Sequence, residues 1–382
     1  LAANVPEGPK LPRCATVLEA ATTILMCQLD TSADIRPVTD KHGCGLNEMD
    51  LVTGGTGIVG AHVLDRLIDQ GRTVRALHRP GSDRDFVRRV LRHYHADGDA
   101  RFARIHWAEG DLLDTESLSA AMQGTGQVFH CAALVSFDPR DRPALFANNI
   151  TGTANVVNAM LAAGVMRLAH VSSTATIGSV NSPLGDNEND PFNEEGPASD
   201  YALSKHGAEM EVQRGIAEGL HAVMVNPCVI IGPGPRHGRS SLTMVERMRK
   251  GSHFHPKGSN AVVDARDVAI ALVRLMDTGV PGERHLLVGE NITYKDLFRT
   301  IARTAGQREP TIPIAPWVLD CAWRLERLRT LFGGRSLVTK ASARTASHPR
   351  LYDGSKARTL LDMDFRKAVE AVENTERFLR GQ

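Results

Sequence analysis

From Met49 onward, short apolar runs rich in β-branched residues alternate with longer stretches whose apolar positions recur every three or four residues. The runs DLVTG, TVRALHR, ARIHWAEG, GQVFHCAA, RLAHVSS, HAVMVNPCVIIG and RHLLVG are nearly continuous in hydrophobicity, the pattern of strands covered on both faces. Between them, AHVLDRLIDQG sets Val63, Leu64, Leu67 and Ile68 on one helix face and stops at Gly71. NNITGTANVVNAMLAAG and YALSKHGAEMEVQRGIAEG have the same character and also end on glycine. Strand and helix in strict alternation predict an α/β fold built on a doubly wound parallel sheet.

The first 48 residues break this pattern. They contain PEGPKLPR and DKHGCG and only a short helical period from Val17 to Leu29. A weakly ordered extension is expected there, with a tail folded over the body as the alternative. Met49 stands where a chain starting at its first strand would begin.

The composition, 42% hydrophobic and 23% charged, is that of a globular protein. A net charge of +1 and the lack of long basic runs leave no footprint for nucleic acid. No apolar run reaches the roughly eighteen residues of a membrane span. Six scattered cysteines without a CxxC pair suit a reducing cytoplasm, and His253 and His255 have no carboxylate or cysteine nearby to complete a metal site. No metal is expected.

The stretch LVTGGTGIVG joins the first strand to the first helix. Gly54, Gly57 and Gly60 form GxxGxxG, and Gly55, Gly57 and Gly60 also satisfy GxGxxG. Glycines there allow a tight turn, a backbone that touches a pyrophosphate, and close packing of helix on sheet, while the helix amino end offers free N–H groups to the anion. A dinucleotide cofactor is expected. An NAD site usually carries an acidic residue about twenty positions on, to bind the ribose hydroxyls. Here the second strand ends in His78 and Arg79. The planar fork of Arg79 suits an added phosphate, so NADP(H) is favoured over NAD(H), although Asp83 and Asp85 follow closely enough to blunt that charge.

In YALSK, Tyr201 and Lys205 lie four apart, on one face of a helix. An ammonium beside a phenol lowers the tyrosine pKa, which would let Tyr201 pass a proton near neutrality.

Taken in order, TGGTGIVG, GDLLD, HCAA, NNITGT, HVSSTATIG, YALSK, NPCVIIGPG and VDARDVA make the chain, from residue 49 to about 380, similar to the extended short-chain dehydrogenase/reductases. That group includes NAD(P)-dependent sugar-nucleotide epimerases, dihydroflavonol-reductase-like enzymes and 3β-hydroxysteroid-dehydrogenase-like enzymes. The resemblance implies that Thr56, Ile58 and Val59 join the glycines at the pyrophosphate, and that Asp111 and Leu112 meet the adenine. It implies that Cys131, Ala132 and Ala133 run under the ribose and pyrophosphate, that Ser172 touches the cofactor, and that Pro227, Val229 and Ile230 back the nicotinamide. It makes Tyr201 the acid or base, Lys205 the ribose ligand, Asn149 the residue steadying the active-site helix, and Thr174 the hydroxyl at the substrate oxygen, with Ser173 as runner-up. Ser136, Phe137 and Phe254 fall where relatives line substrate, and Cys228 lies close enough for alkylation to report on the site. A homodimer through the helices of Asn149 and Tyr201 is the usual arrangement.

An oxidoreductase acting on a carbonyl or secondary alcohol of a small molecule is expected. Ala175 and Thr176 replace the acidic pair of the sugar-nucleotide dehydratases. A nucleotide-sugar epimerase with tightly bound NAD is the alternative, with Arg236, Arg239 and Lys257 as candidate diphosphate ligands. A non-catalytic dinucleotide sensor has no need of Thr174, Tyr201 and Lys205 together. The apolar stretch holding Ile314, Trp317, Val318, Cys321, Trp323, Leu325 and Leu328 is either a hydrophobic lid or a helix packed on the core. Residues 49–227 and 262–289 are expected to form the nucleotide domain, and residues 228–261 and 290–382 the substrate-binding part.

Overall fold

The computed structural model describes residues 49–179, 182–193, 198–235, 241–315, 317–321, 323–324 and 340–381. The expected extension 1–48, together with Arg236, Arg239, Leu325 and Leu328, lies outside them.

The strands run in chain order: β1 (Met49–Thr53), β2 (Val74–His78), β3 (Ile105–Glu109), β4 (Thr125–His130), β5 (Arg167–Val171), β6 (His221–Pro227), β7 (Val229–Ile231), β8 (Phe254–His255), β9 (Ser259–Asp264), β10 (Arg284–Leu287), β11 (Glu290–Thr293) and β12 (Ile312–Pro313). Seven of them form one sheet in the order β10-β6-β5-β4-β1-β2-β3, every pair parallel. Neighbouring residues split between its faces with the strand period of two. Leu51, Leu77, Val128, Leu168 and Met224 pack under the helices Thr115–Met122, Gly152–Ala163 and Asp200–Ala217. Val52, Ala76, Phe129, Ala169 and Val225 pack under Ile58–Asp69 and Ala265–Thr278. The doubly wound sheet read from the sequence is therefore present, and Val63, Leu64, Leu67 and Ile68 are buried as their spacing required.

Two features differ from the sequence reading. HAVMVNPCVIIG is two strands in two sheets: β6 ends at Pro227, which has no N–H to continue the ladder, and β7 joins a second sheet of order β11-β9-β7. The carboxy-terminal region, expected to form a substrate-binding part, also joins the main core. Its last helix, Ala368–Arg380, packs beside Arg84–Tyr94, with the Phe86 and Phe378 rings edge to face at 6.3 Å, because its apolar stripe completes the core on that side. The carboxyl ends of the parallel strands all open on one edge, which is where an α/β sheet of this kind takes ligands.

Candidate active site

The glycine turn is built for close approach. Gly54 has φ +67°, and a Cβ there would lie 2.6 Å from backbone atoms of Ala132 after β4. At Gly60 a Cβ would fall 2.2 Å from the Gly54 carbonyl oxygen. Neither position tolerates a side chain, so turn, helix and strand end meet backbone to backbone. Gly57 caps the helix Ile58–Asp69 with no side chain of its own, so the first-turn N–H groups face the crevice without a competing acceptor. Ile58 and Thr56 border that turn half-buried, and Val59 is buried beneath it. Behind the turn, Thr53 Oγ1 lies 2.7 Å from His130 Nδ1, and His130 Nε2 lies 3.0 Å from Thr153 Oγ1, which donates at 2.6 Å to the Asn149 carbonyl. Sequence reasoning missed this buried chain, which joins the cofactor turn to the Asn149 region.

Of the residues expected at the adenine, Asp111 is half-buried and its Oδ1 accepts from Leu113 N at 2.9 Å, while the carbonyl of buried Leu112 accepts from Asn155 Nδ2 at 2.9 Å. The side chain of Arg79 is exposed past the end of β2. The two aspartates that could have neutralised it are engaged elsewhere. Asp83 caps the next helix through Phe86 N and pairs with Arg89 at 2.9 Å, and Asp85 pairs with Arg88 at 3.1 Å.

At the other end, Asn149 sits in a π turn, Ala147–Thr151, a local widening of a helix common at functional sites. It is buried, accepts from Leu134 N at 2.7 Å, and donates to Leu134 O and Ser204 Oγ, each at 2.9 Å. One side chain thus ties the loop after β4 to the helix Asp200–Ala217. Asn148 is half-buried, and its side chain bonds within its own turn, to the Ala144 carbonyl at 2.8 Å. On that helix Tyr201 is half-buried, its ring 5.7 Å from the Phe137 ring and edge-on to it. Lys205, one turn on, is fully buried and donates to the Val171 carbonyl at 2.9 Å. Burial pulls the Lys205 pKa down to about 8, opposed by the nearby Glu209 carboxylate. Burial also raises the Tyr201 pKa, and a hydrogen bond with the Ser173 side chain lowers it. In this state the ammonium spends its charge on a strand carbonyl, so the lowering expected from the four-residue spacing is absent.

Of the two hydroxyls offered by the sequence, that of Ser173 lowers the Tyr201 pKa, while its Oγ accepts from Ala175 N at 3.1 Å. Thr174, expected in that place, is buried in the 3-10 turn Thr174–Thr176, and its side chain slightly lowers the pKa of Tyr352, whose phenol accepts from Arg350 Nη1 at 3.0 Å. Ser172 is buried with its hydroxyl unpartnered, a group that a ligand in the crevice could satisfy. Ser136 is not a free lining residue: it is buried, donates to Asp141 Oδ2 at 2.6 Å and accepts from Asp138 N at 3.2 Å, which shapes the loop that presents exposed Phe137. Phe254 is exposed on β8, paired with β12, and has no ring contact with Tyr201 or Phe137. Pro227, at the end of β6, is buried; Cys131 and Ala132, just past β4, are half-buried and Ala133 is exposed; Val229 and Ile230, which open β7, are half-buried. Cys228 is buried and burial raises its thiol pKa, so it is a poor alkylation target. Of the apolar stretch beyond β12, Trp317, Val318 and Cys321 are exposed.

The glycine cradle, the uncapped helix end and the orphan Ser172 hydroxyl fit a nicotinamide dinucleotide. Comparison with known proteins agrees with that geometry. Residues 51–289 match the profile described as the NAD dependent epimerase/dehydratase family. The chain is 34% identical over 275 residues to sterol demethylase protein B of Methylococcus capsulatus, covering 71% of this chain and 78% of that one. It is 30% identical over 327 residues to a putative dihydroflavonol 4-reductase of Synechocystis, covering 83% and 90%. The crystal structure of gox2253 superposes with a TM-score of 0.74 at 30% identity, over 88% of this chain and 98% of that one. With its parallel sheet, its glycine turn and its Tyr201–Lys205 helix, the chain belongs to the NAD-dependent epimerase/dehydratase family, the extended short-chain dehydrogenase/reductases, and is an NAD(P)-dependent enzyme.

Proposed function

We propose that the protein is an NADP(H)-preferring oxidoreductase that interconverts a carbonyl and a secondary alcohol on a largely apolar small molecule. The observation that carries this reading is the set Ser173, Tyr201 and Lys205 at the carboxyl end of β5, with the Ser173 hydroxyl on the Tyr201 phenol and a buried ammonium one turn away. When bound, the nicotinamide supplies or takes the hydride. The protein's own residues manage the proton and the geometry. Tyr201 gives a proton to the substrate oxygen in reduction and takes it in oxidation, and Ser173 holds that oxygen beside it. Lys205 spends one of its three N–H donors on Val171, and the others serve the ribose, with Ser172 next to them. An ammonium so placed favours the phenolate and offsets the burial of Tyr201. Asn149 keeps the helix and the loop after β4 in register.

Arg79 supports the preference for NADP(H), since it is exposed at the end of β2 and free of Asp83 and Asp85. Exposed Phe137 against Tyr201 supports an apolar substrate, as do the names of the two relatives above, a sterol demethylase protein and a dihydroflavonol reductase. We also propose a cytoplasmic enzyme that pairs through the helices of Asn149 and Tyr201. Among the described residues no helix is long and apolar enough to cross a membrane.

The test is NADPH oxidation with a panel of aryl and alicyclic ketones and aldehydes, and NADP+ reduction with the matching alcohols, with Tyr201→Phe in parallel. Turnover lost in the variant is the expected result. Cofactor that survives dialysis, joined to isomerisation of a nucleotide sugar without net redox, would overturn the reading in favour of an epimerase.

A further inference from the structure

The helix that carries Tyr201 and Lys205 presents a third polar side chain one more turn along. Glu209 is 1% exposed, in a helix position otherwise suited to an apolar residue. A carboxylate is buried at this depth only if its oxygens are satisfied. Oε1 accepts from Thr176 Oγ1 at 2.8 Å and from Asn226 Nδ2 at 2.7 Å, and Oε2 faces Arg284 at 3.6 Å. Both donors lead to the catalytic turn. Asn226 Nδ2 also lies 3.2 Å from the Ser173 carbonyl and 2.9 Å from Thr176 Oγ1, and Thr176 Oγ1 lies 2.9 Å from the same Ser173 carbonyl. Asn226 is fully buried at the end of β6. The turn that starts at Ser173 is thus gripped from beneath by groups that converge on one carboxylate.

We infer that Glu209 is a positioning residue of the reaction: through Thr176 and Asn226 it holds the Ser173 turn against Tyr201, one helical turn beyond Lys205. This rests on the roles proposed above for Ser173, Tyr201 and Lys205. The groups facing the Lys205 ammonium are Glu209 on its own helix, Cys131 after β4, His130 on β4 and His170 on β5. Among the described residues, Glu209 is the carboxylate in that group. With the carboxylate gone, Asn226 and Thr176 lose their common acceptor, and their contacts with the Ser173 carbonyl lose the anchor beneath them.

The experiment uses the NADPH-loaded full chain with 4-nitrobenzaldehyde, or the best carbonyl from the panel, and the variants Glu209→Gln, Glu209→Ala, Thr176→Val and Tyr201→Phe. Glu209→Ala and the near-isosteric Thr176→Val should each lower kcat tenfold or more while the NADPH Kd stays within twofold. Glu209→Gln should keep part of that kcat and move the alkaline limb of the kcat profile to lower pH, because Lys205 then loses its proton more easily. Wild-type kcat and pH profile in Glu209→Gln and Thr176→Val, with Tyr201→Phe inactive, overturn the inference and leave the function standing. A kcat loss matched by an equal loss of NADPH affinity also overturns it. Full turnover in Tyr201→Phe removes the reading beneath it. Crystal structures of the variants answer without turnover: Ser173 is expected to leave Tyr201 in Thr176→Val, and an unmoved turn refutes the link.

Discussion

The Lys205 ammonium donates at 2.9 Å to the carbonyl of Val171, the last residue of β5, and both residues are sealed from solvent. Burial draws the Lys205 pKa from 10.5 to about 8 in the folded chain. Between those values the unfolded chain binds more protons, so this group's contribution to stability rises with pH there; below about pH 8 the full cost of burying the charge is present. Cofactor-free Lys205→Met should therefore melt above the wild type near pH 7, by an amount on the order of a few kcal/mol less the lost bond to Val171. The gap should close toward about pH 10. Thermal melts of both proteins across that range decide it, and a gap that ignores pH would rule out Lys205 as the source.

Tyr201 is the proposed proton donor, so removing only its hydroxyl separates chemistry from binding. Tyr201→Phe is expected to lose about 10²–10⁴-fold in kcat, the usual share of general acid–base catalysis. NADPH affinity, by fluorescence titration, should stay within about twofold, because the ring still packs on Phe137.

Ser173 and Thr174 make opposite demands on the same assay. Ser173→Ala removes the bond to Tyr201 and should reduce kcat by about 10²-fold or more. Thr174→Val loses the bond to Tyr352 and should act mainly on stability, by about 1 kcal/mol. Equal kcat losses in the two variants would return Thr174 to the substrate oxygen.

Arg79 has its charge free in the structure. A charged hydrogen-bonding contact is worth about 1.5–3 kcal/mol, so Arg79→Ala should weaken NADPH binding by roughly 10–100-fold and leave NADH binding unchanged. The NADPH effect should shrink with added salt. Equal weakening of both cofactors would place Arg79 away from the added phosphate.

Gly60 faces the Gly54 carbonyl with no room for a Cβ. Gly60→Ala is expected to force the turn apart, to lower stability by about 1–3 kcal/mol, and to abolish measurable NADPH binding. Calorimetry and the same fluorescence titration check both parts. An alanine variant that binds normally would mean that the turn relaxes freely.

The sequence by itself determined the architecture and the glycine turn, because both depend on local rules. Period-two and period-3.6 hydrophobicity place Val52 and Val63 in the core wherever their elements are. The need for glycine at Gly54 and Gly60 is a backbone requirement that shows in residue type alone. Tyr201, Lys205 and Glu209 are spaced four apart and were legible as one helix face, though the third member went unread. Only the tertiary structure separates the surroundings of Ser173 from those of Thr174. Ser173 and Thr174 are neighbours in sequence, and a 3-10 turn together with Asn226, Tyr352 and Glu209 from distant elements sends their side chains to different partners. It also decided that Ser136 serves its own loop and that Asp83 and Asp85 leave Arg79 alone. Hydrogen-bond partners of polar side chains depend on distances of tenths of an ångström between segments far apart in the chain, and no periodicity records them.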